Sequence, residues 1–130
     1  MAFGNVKETL TFKVASNLDT EQFKIVELTG NAHEVELAAI HEGVGVIQNH
    51  PRSGEAGSVA VSGITKVRVG TGGVAVGDFI TSAATGWALV TASGAATSRR
   101  VFGRALTAAA TGGIATMLID RRVVSSGSAL

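Results

Sequence analysis

Val74–Leu89 reads VAVGDFITSAATGWAL. It holds one acid, Asp78, one tryptophan, Trp87, and no basic residue. Its apolar residues come in short runs, cut first by Gly77-Asp78 and again by Gly86. Glycine supplies the positive φ a tight turn needs, and an adjacent aspartate hydrogen-bonds its own backbone. The stretch therefore predicts short strands at 74–76, 79–81 and 87–91, folded around glycine turns.

The same grammar repeats on both sides. Downstream, ASGAATS (92–98) is a loop of small residues. RRVFGRALTAA (99–109) and GGIATMLIDRRVV (112–124) then form a closing pair of strands. Residues 114–119 are apolar without alternation, which predicts a strand covered on both faces. Residues 104–111 allow one short helix, which Gly112-Gly113 would end.

Upstream, ITKVRVG (64–70) and SVAVSG (58–63) read as two strands separated at Ser62-Gly63. Val44, Val46 and Ile47 make another, and residues 49–57 an exposed loop. QFKIVELTG (22–30) and AHEVELAAI (32–40) alternate with period two around a turn at Thr29–Asn31, which favours a hairpin, although the Glu, Leu and Ala of the second segment also allow one or two helical turns. Short strands with turn signals every eight to twelve residues or so indicate an all-β fold, a small barrel or sandwich.

Bulk composition agrees. A length of 130 residues fits one domain. Hydrophobic residues make up 45% but aromatics only 5%, so the core is built from thin aliphatic layers. With 17 glycines against one proline, the turns are glycine-made. The organisation expected is an N-terminal arm or edge strand at 1–20, a β domain at 21–122 and a flexible tail at 123–130. Within the arm, Leu10, Phe12 and Val14 alternate with Thr9, Thr11 and Lys13. Such an arm is either a first edge strand or a segment that orders on a neighbouring subunit.

Several function classes lose support. Net charge is +1, and no basic stripe interleaves with stacking aromatics, so no nucleic-acid partner is expected. No cysteine exists, which removes thiol chemistry and disulfides. No run of about 18 apolar residues is present, and MAFGNVKETLTF lacks the apolar core of a signal peptide, so no membrane partner is expected. Gly70–Ala75 formally fits G-x-G-x-x-[GA], but a strand and turn follow where a phosphate-binding helix should stand. No G-x-S-x-G occurs. His33, His41 and His50 include two His-Glu pairs, yet H-E-x-x-H is absent. No catalytic residue, cofactor or metal is assigned.

What remains is strand surface. Several strands are apolar on both faces, more than so small a domain is expected to cover alone. A symmetric partner would supply the missing cover. Trp87, the sole tryptophan, is expected to plug a core or an interface.

The run GITKVRVGTGGVAVGDFITSAATGWALVTA, with VFGRALTAAATGGIATMLID after it, resembles the head-decoration, or capsid cement, proteins of tailed bacteriophages. The matching features are V-x-V-G-D-x-I-T, the following G-x-A, G-R-A-L and the closing G-G-I-A-x-M-L-I, over about residues 40–120. The resemblance implies a virion structural protein without catalytic residues. It would sit on the outer capsid surface after synthesis in the host cytoplasm, self-associate as a homotrimer and bridge subunits of the major capsid protein. Phe3, Leu10, Phe12, Val14 and Trp87 are the candidate interaction residues. Two other readings stand beside it. One is a small ligand- or carbohydrate-binding barrel of a phage tail or fibre, using Trp87. The other is a metal enzyme using His33 and His41.

Overall fold

The computed structural model describes residues 5–39, 42–91 and 99–124. Phe3, His41 and residues 125–130 of the expected tail lie outside them. Among the described residues nine strands make one sheet: β1 Asn5–Val14, β2 Ile25–Leu28, β3 Glu34–Leu37, β4 Gly45–Ile47, β5 Ala56–Arg68, β6 Phe79–Ser82, β7 Ala88–Val90, β8 Arg99–Ala105 and β9 Ile114–Val124.

The pairing order explains how so short a chain makes so many strands useful. From β1 it runs through β3, β2 and β4 to β5, and β5 pairs back with β1 along Asn5–Lys13. Five strands thus close a ring. The second half of β5 then pairs with β9, and the sheet continues through β8 and β6 to β7. A parallel bridge between Val69 and Ala88 brings β7 back beside the chain leaving β5. The fold is two small rolled lobes that share β5. Rolling a sheet onto itself removes most of its edges.

Each lobe has its own core. Val14, Leu18, Val26, Val35, Ile47 and Val59 fill the first. Val67, Val69, Ile80, Phe102, Ala115 and Met117 belong to the second, and Ile25 and Val46 join them. So β2 and β4 work on both faces. Ile25 and Val46 face the second core, while their neighbours Val26 and Ile47 face the first. Strands apolar on both sides are satisfied here within one chain, because the lobes pack against each other through them.

Four local expectations change. Ser62-Gly63 does not separate two strands: β5 runs straight through it, with Gly63 at φ +94° opposite a bulge in β1. Residues 74–76 form only a bridge, Val74 to Ala109. Residues 104–111 are not helical, because Val74 and Ala109 exchange both backbone hydrogen bonds and the Leu106 N–H donates to Thr116. The short helical turn is instead at Ala84–Gly86. Finally, β9 is not covered on both faces within the chain. Ala115 and Met117 are fully buried, whereas Ile114 and Leu118 on the other face stay 37% and 38% exposed.

Candidate interaction surfaces

Most of β1 is held along one edge only. Asn5–Lys13 pair with β5, and on the opposite edge only Lys13 and Val14 pair, with β3. Among the described residues no strand lies beside the outer edge of Asn5–Phe12. An open edge offers unpaired N–H and C=O groups to any extended segment that reaches it. Two devices restrict which segment that is. A bulge interrupts the register between Val6 and Thr9, and Lys7 and Glu8 stand exposed at it. Val14 is fully buried and anchors the strand in the first core, and Phe12 packs half-buried against that core. Leu10 is registered opposite the buried Val59 yet is 45% exposed. The arm alternation read from sequence thus runs from an anchor at Val14 to an open apolar residue at Leu10.

Trp87 sits half-buried just after the Ala84–Gly86 turn, which packs against the start of β2. The Lys24 ammonium lies 4.1 Å from its ring centroid, and Lys24 is ion-paired with Glu21. A cation thus covers one face of the ring. Beside it lies a groove of about 440 Å³, lined by Val69, Gly70, Ala83, Ala84 and Leu89 among others. A shallower groove of about 680 Å³ adjoins it along Thr71–Ala75 and Ala109–Thr111. Nearby, Val76 stands 68% exposed at the tip of a turn. That turn is fixed by Asp78, whose carboxylate accepts the Ala75 N–H at 2.8 Å, and by Arg104, which donates to the Gly77 carbonyl at 2.9 Å. The reading of Gly77-Asp78 from sequence holds in detail, with Gly77 at φ +90°.

A third surface was not anticipated. Ile64, Leu118, Arg104 and Phe79 register in one row across β5, β9, β8 and β6. Directly paired residues of antiparallel strands share a face, so these four side chains stand on one side of the sheet. Lys66 and Thr116 form the next row, where Thr116 is fully buried, and Arg68 with Ile114 the third. Arg104 stacks over Phe79 at 4.6 Å. The outer face of the second lobe therefore mixes aliphatic side chains with three cations.

The first lobe carries the opposite sign. Glu27 and Glu36 are directly paired between β2 and β3. Burial first, and then the hydrogen bond and charge of Glu27, hold the Glu36 carboxyl above its ordinary value. Glu34 moves the other way, because its carboxylate accepts from the Asn31 amide at 2.9 Å and the Thr29 hydroxyl at 2.8 Å. A carboxyl whose folded value is raised gives up stability as pH rises through that value. Glu36→Gln is therefore expected to raise the melting temperature at pH 7 by roughly 1–4 °C, as removal of a like-charge cross-strand pair implies. The gain should vanish as pH falls below the ordinary glutamate value of 4.5. A calorimetric melt at both pH values checks it.

Two of the three histidines lie among the described residues, and they stand apart. His33 is exposed at the β2–β3 turn with φ +53°, and the His50 ring lies 3.1 Å from the Asp19 carbonyl, also exposed. Among the described residues no group of three His, Cys, Asp or Glu side chains is placed to hold a metal ion. Charge is also unevenly distributed along the chain. Residues 1–60 carry eight acids and four bases, and residues 61–130 carry two acids and seven bases. The total of +1 hides this split.

Residues 5–120 match the family described as phage cement protein. Among solved structures, the chain is similar to the head fibre N base of bacteriophage phi29, determined by crystallography. Identity is 24% and the TM-score 0.67, over 87% of this chain and 93% of that one. At that identity the likeness speaks for the fold. No curated protein matches the chain.

Proposed function

The chain belongs to the phage cement protein family, a phage structural protein with a capsid-stabilising role, and on that premise we propose where and how it binds. The site is the outer surface of the shell. The partner is the major capsid protein, bridged between neighbouring subunits by a homotrimer assembled in the host cytoplasm before it docks. The protein acts by binding alone, without catalysis.

The observation that carries this reading is the open edge of β1. A backbone edge on a rigid lobe suits a role in which a fixed surface grips an extended segment of another protein. Leu10 and Phe12 would fill pockets of the capsid subunit, and Val14 would hold the strand in place from inside. Phe3, outside the described residues, would extend the same contact. Trp87 and the grooves beside it would form a second contact on a neighbouring capsid subunit. In organisation, 1–20 is the docking strand and its leader, 21–122 the β domain and 123–130 a tail.

Stabilisation then follows from mass action. Anything that binds the closed shell better than the open one shifts the balance toward closure. Each copy needs only modest affinity, because contacts to several subunits add through effective concentration. The test adds purified protein to shells that lack it, followed by sedimentation and labelling of the shell exterior. Saturable, externally accessible occupancy is expected. Protein that stays in the supernatant, or that is found only inside the shell, would overturn the reading.

A further inference from the structure

The open edge of β1 resolves to single peptide groups. In an antiparallel pair, alternate residues turn their N–H and C=O toward the neighbour, and the residues between turn theirs away. Val59 and Ala60 pair with β4 on one side of β5 and with β1 on the other. Ser58 stands in register with Thr11. Yet its N–H donates to the Asn49 side chain at 3.0 Å, and its carbonyl accepts the Gln48 N–H at 2.8 Å. Both partners follow β4, so Ser58 has its backbone turned away from β1, and Thr11 turns its own away from β5. Lys13 shows the same phase two residues on, where its N–H donates outward to the His33 carbonyl at 2.9 Å. The peptide groups of Thr9 and Thr11 therefore point out of the sheet edge, and those of Leu10 and Phe12 point into it.

Both ends of that edge are defined. Regular register begins at Thr9, after the bulge, and β3 takes the edge over at Lys13. The opening is thus Thr9–Phe12, about 13 Å long. At its β3 end lies a groove of about 350 Å³, lined by Thr11, Phe12, Lys13, Ala32, His33 and Glu55 among others. We propose that the capsid segment is a short strand, of about four or five residues, that pairs with the outward groups of Thr9 and Thr11 and seats one bulky apolar side chain in this groove. This rests on β1 as the docking strand and states what kind of segment it accepts.

Three observations select that occupant. First, the same edge already takes a strand. β3 pairs there with Lys13 and Val14, and the Ala15 N–H donates to the Val35 carbonyl at 3.0 Å. An added strand would continue the line of β3 and stop at the turn before it. That stop is firm, because the Glu34 carboxylate ties the Thr29 hydroxyl and the Asn31 amide together across the turn. Second, the groove selects no charge. Lys13 and Glu55 stand exposed at it with opposite signs, around Phe12, Ala32 and Ala56. An apolar side chain meets the least desolvation cost there. Third, Leu10 is exposed on one face of β1, and Thr9 and Thr11 are exposed on the other. Neighbouring strands match side chains face by face, so the segment alternates, apolar beside Leu10 and polar beside the threonines.

Thr11→Pro tests the pairing. Proline removes the outward N–H and leaves the β5 ladder intact, since an edge strand tolerates proline where its N–H faces solvent. The melting temperature should stay within a few degrees of wild type, and shell binding should fall about tenfold. Thr11→Val keeps the N–H and should bind as wild type does. Ala32→Trp fills the groove from an exposed position and should also weaken binding about tenfold. If Thr11→Pro does not fold, amide exchange of the wild-type protein carries the test. On shells the Thr9 and Thr11 N–H groups should exchange at least about tenfold more slowly than in free protein. The Leu10 N–H, already turned to β5, should change little. Wild-type occupancy by Thr11→Pro would overturn the inference, as would equal losses for the proline and valine variants, or Thr9 and Thr11 amides that exchange equally fast on and off shells. Unchanged binding by Ala32→Trp would remove the groove from it. In each of these cases wild type still binds, so β1 docking by side chains alone survives; a wild type that ignores shells would instead remove the docking reading itself.

Discussion

Gly63→Val is expected to lower the melting temperature by about 10 °C or more and to free β1 from β5. Gly63 lies inside β5 at φ +94°, opposite the bulge of β1. A side chain there meets backbone, which cannot swing aside. Its Cβ would stand 2.5 Å from the Lys7 nitrogen and 2.8 Å from the Asn5 carbonyl oxygen. The left-handed conformation alone costs a β-branched residue about 1–3 kcal/mol. Moving β1 away to relieve the clash adds lost strand pairing on top. Roughly 3–5 kcal/mol in total corresponds to about 10–20 °C for a chain of this size. Gly72→Val separates the two terms. Gly72 has the same φ of +94°, but nothing lies within 4 Å of its Cβ position. Its melting temperature should fall by less than half as much. Hydrogen exchange read along β1 would show the release directly, with protection lost over 5–10 in the Gly63 variant and kept in the Gly72 variant. Equal falls for both, or protection retained at β1, would contradict the role given to the bulge.

Leu10→Asp should leave the fold nearly untouched and weaken shell binding about tenfold to thirtyfold. Leu10 is already 45% exposed, so the lone chain loses little. Bound to a capsid subunit, the remaining apolar surface of a leucine is worth about 1–2 kcal/mol, and a carboxylate forced into its pocket costs further. The factor applies to each contact. Because several contacts hold each copy, the loss appears mainly as faster release. Off-rates from decorated shells, compared at matched melting temperature, are the relevant measurement. Unchanged off-rates would remove Leu10 from the interface and with it the β1 edge as the docking strand.

Much of the fold was written in local signals. Thr29–Asn31 marked the β2–β3 turn, and Gly77-Asp78 marked a turn whose aspartate does cap its own backbone. What escaped was set by partners distant in sequence. Ser62-Gly63 looks like a break because glycine in a strand lacks a side chain to pack. Only the bulge in β1, more than fifty residues earlier, shows why glycine is needed there. Ile25-Val26 and Val46-Ile47 put apolar side chains on both faces of their strands. A second lobe built from residues beyond 67 covers their other faces. The continuous apolar run at 114–119 does leave Ile114 and Leu118 open, so the expectation of further cover survives at β9 and not at β2 or β4. Of the candidate residues, Leu10 and Trp87 stand partly open as an interaction role requires, and Val14 lies in the core.

Capsid stabilisation is the central claim, and heating shells tests it most directly. Shells lacking the protein, and the same shells saturated with it, would be warmed in parallel while release of packaged DNA is followed with an intercalating dye. The decorated shells should open several degrees higher, with the shift growing as added protein fills the sites and then levelling off. Coincident opening temperatures at full occupancy would contradict the account.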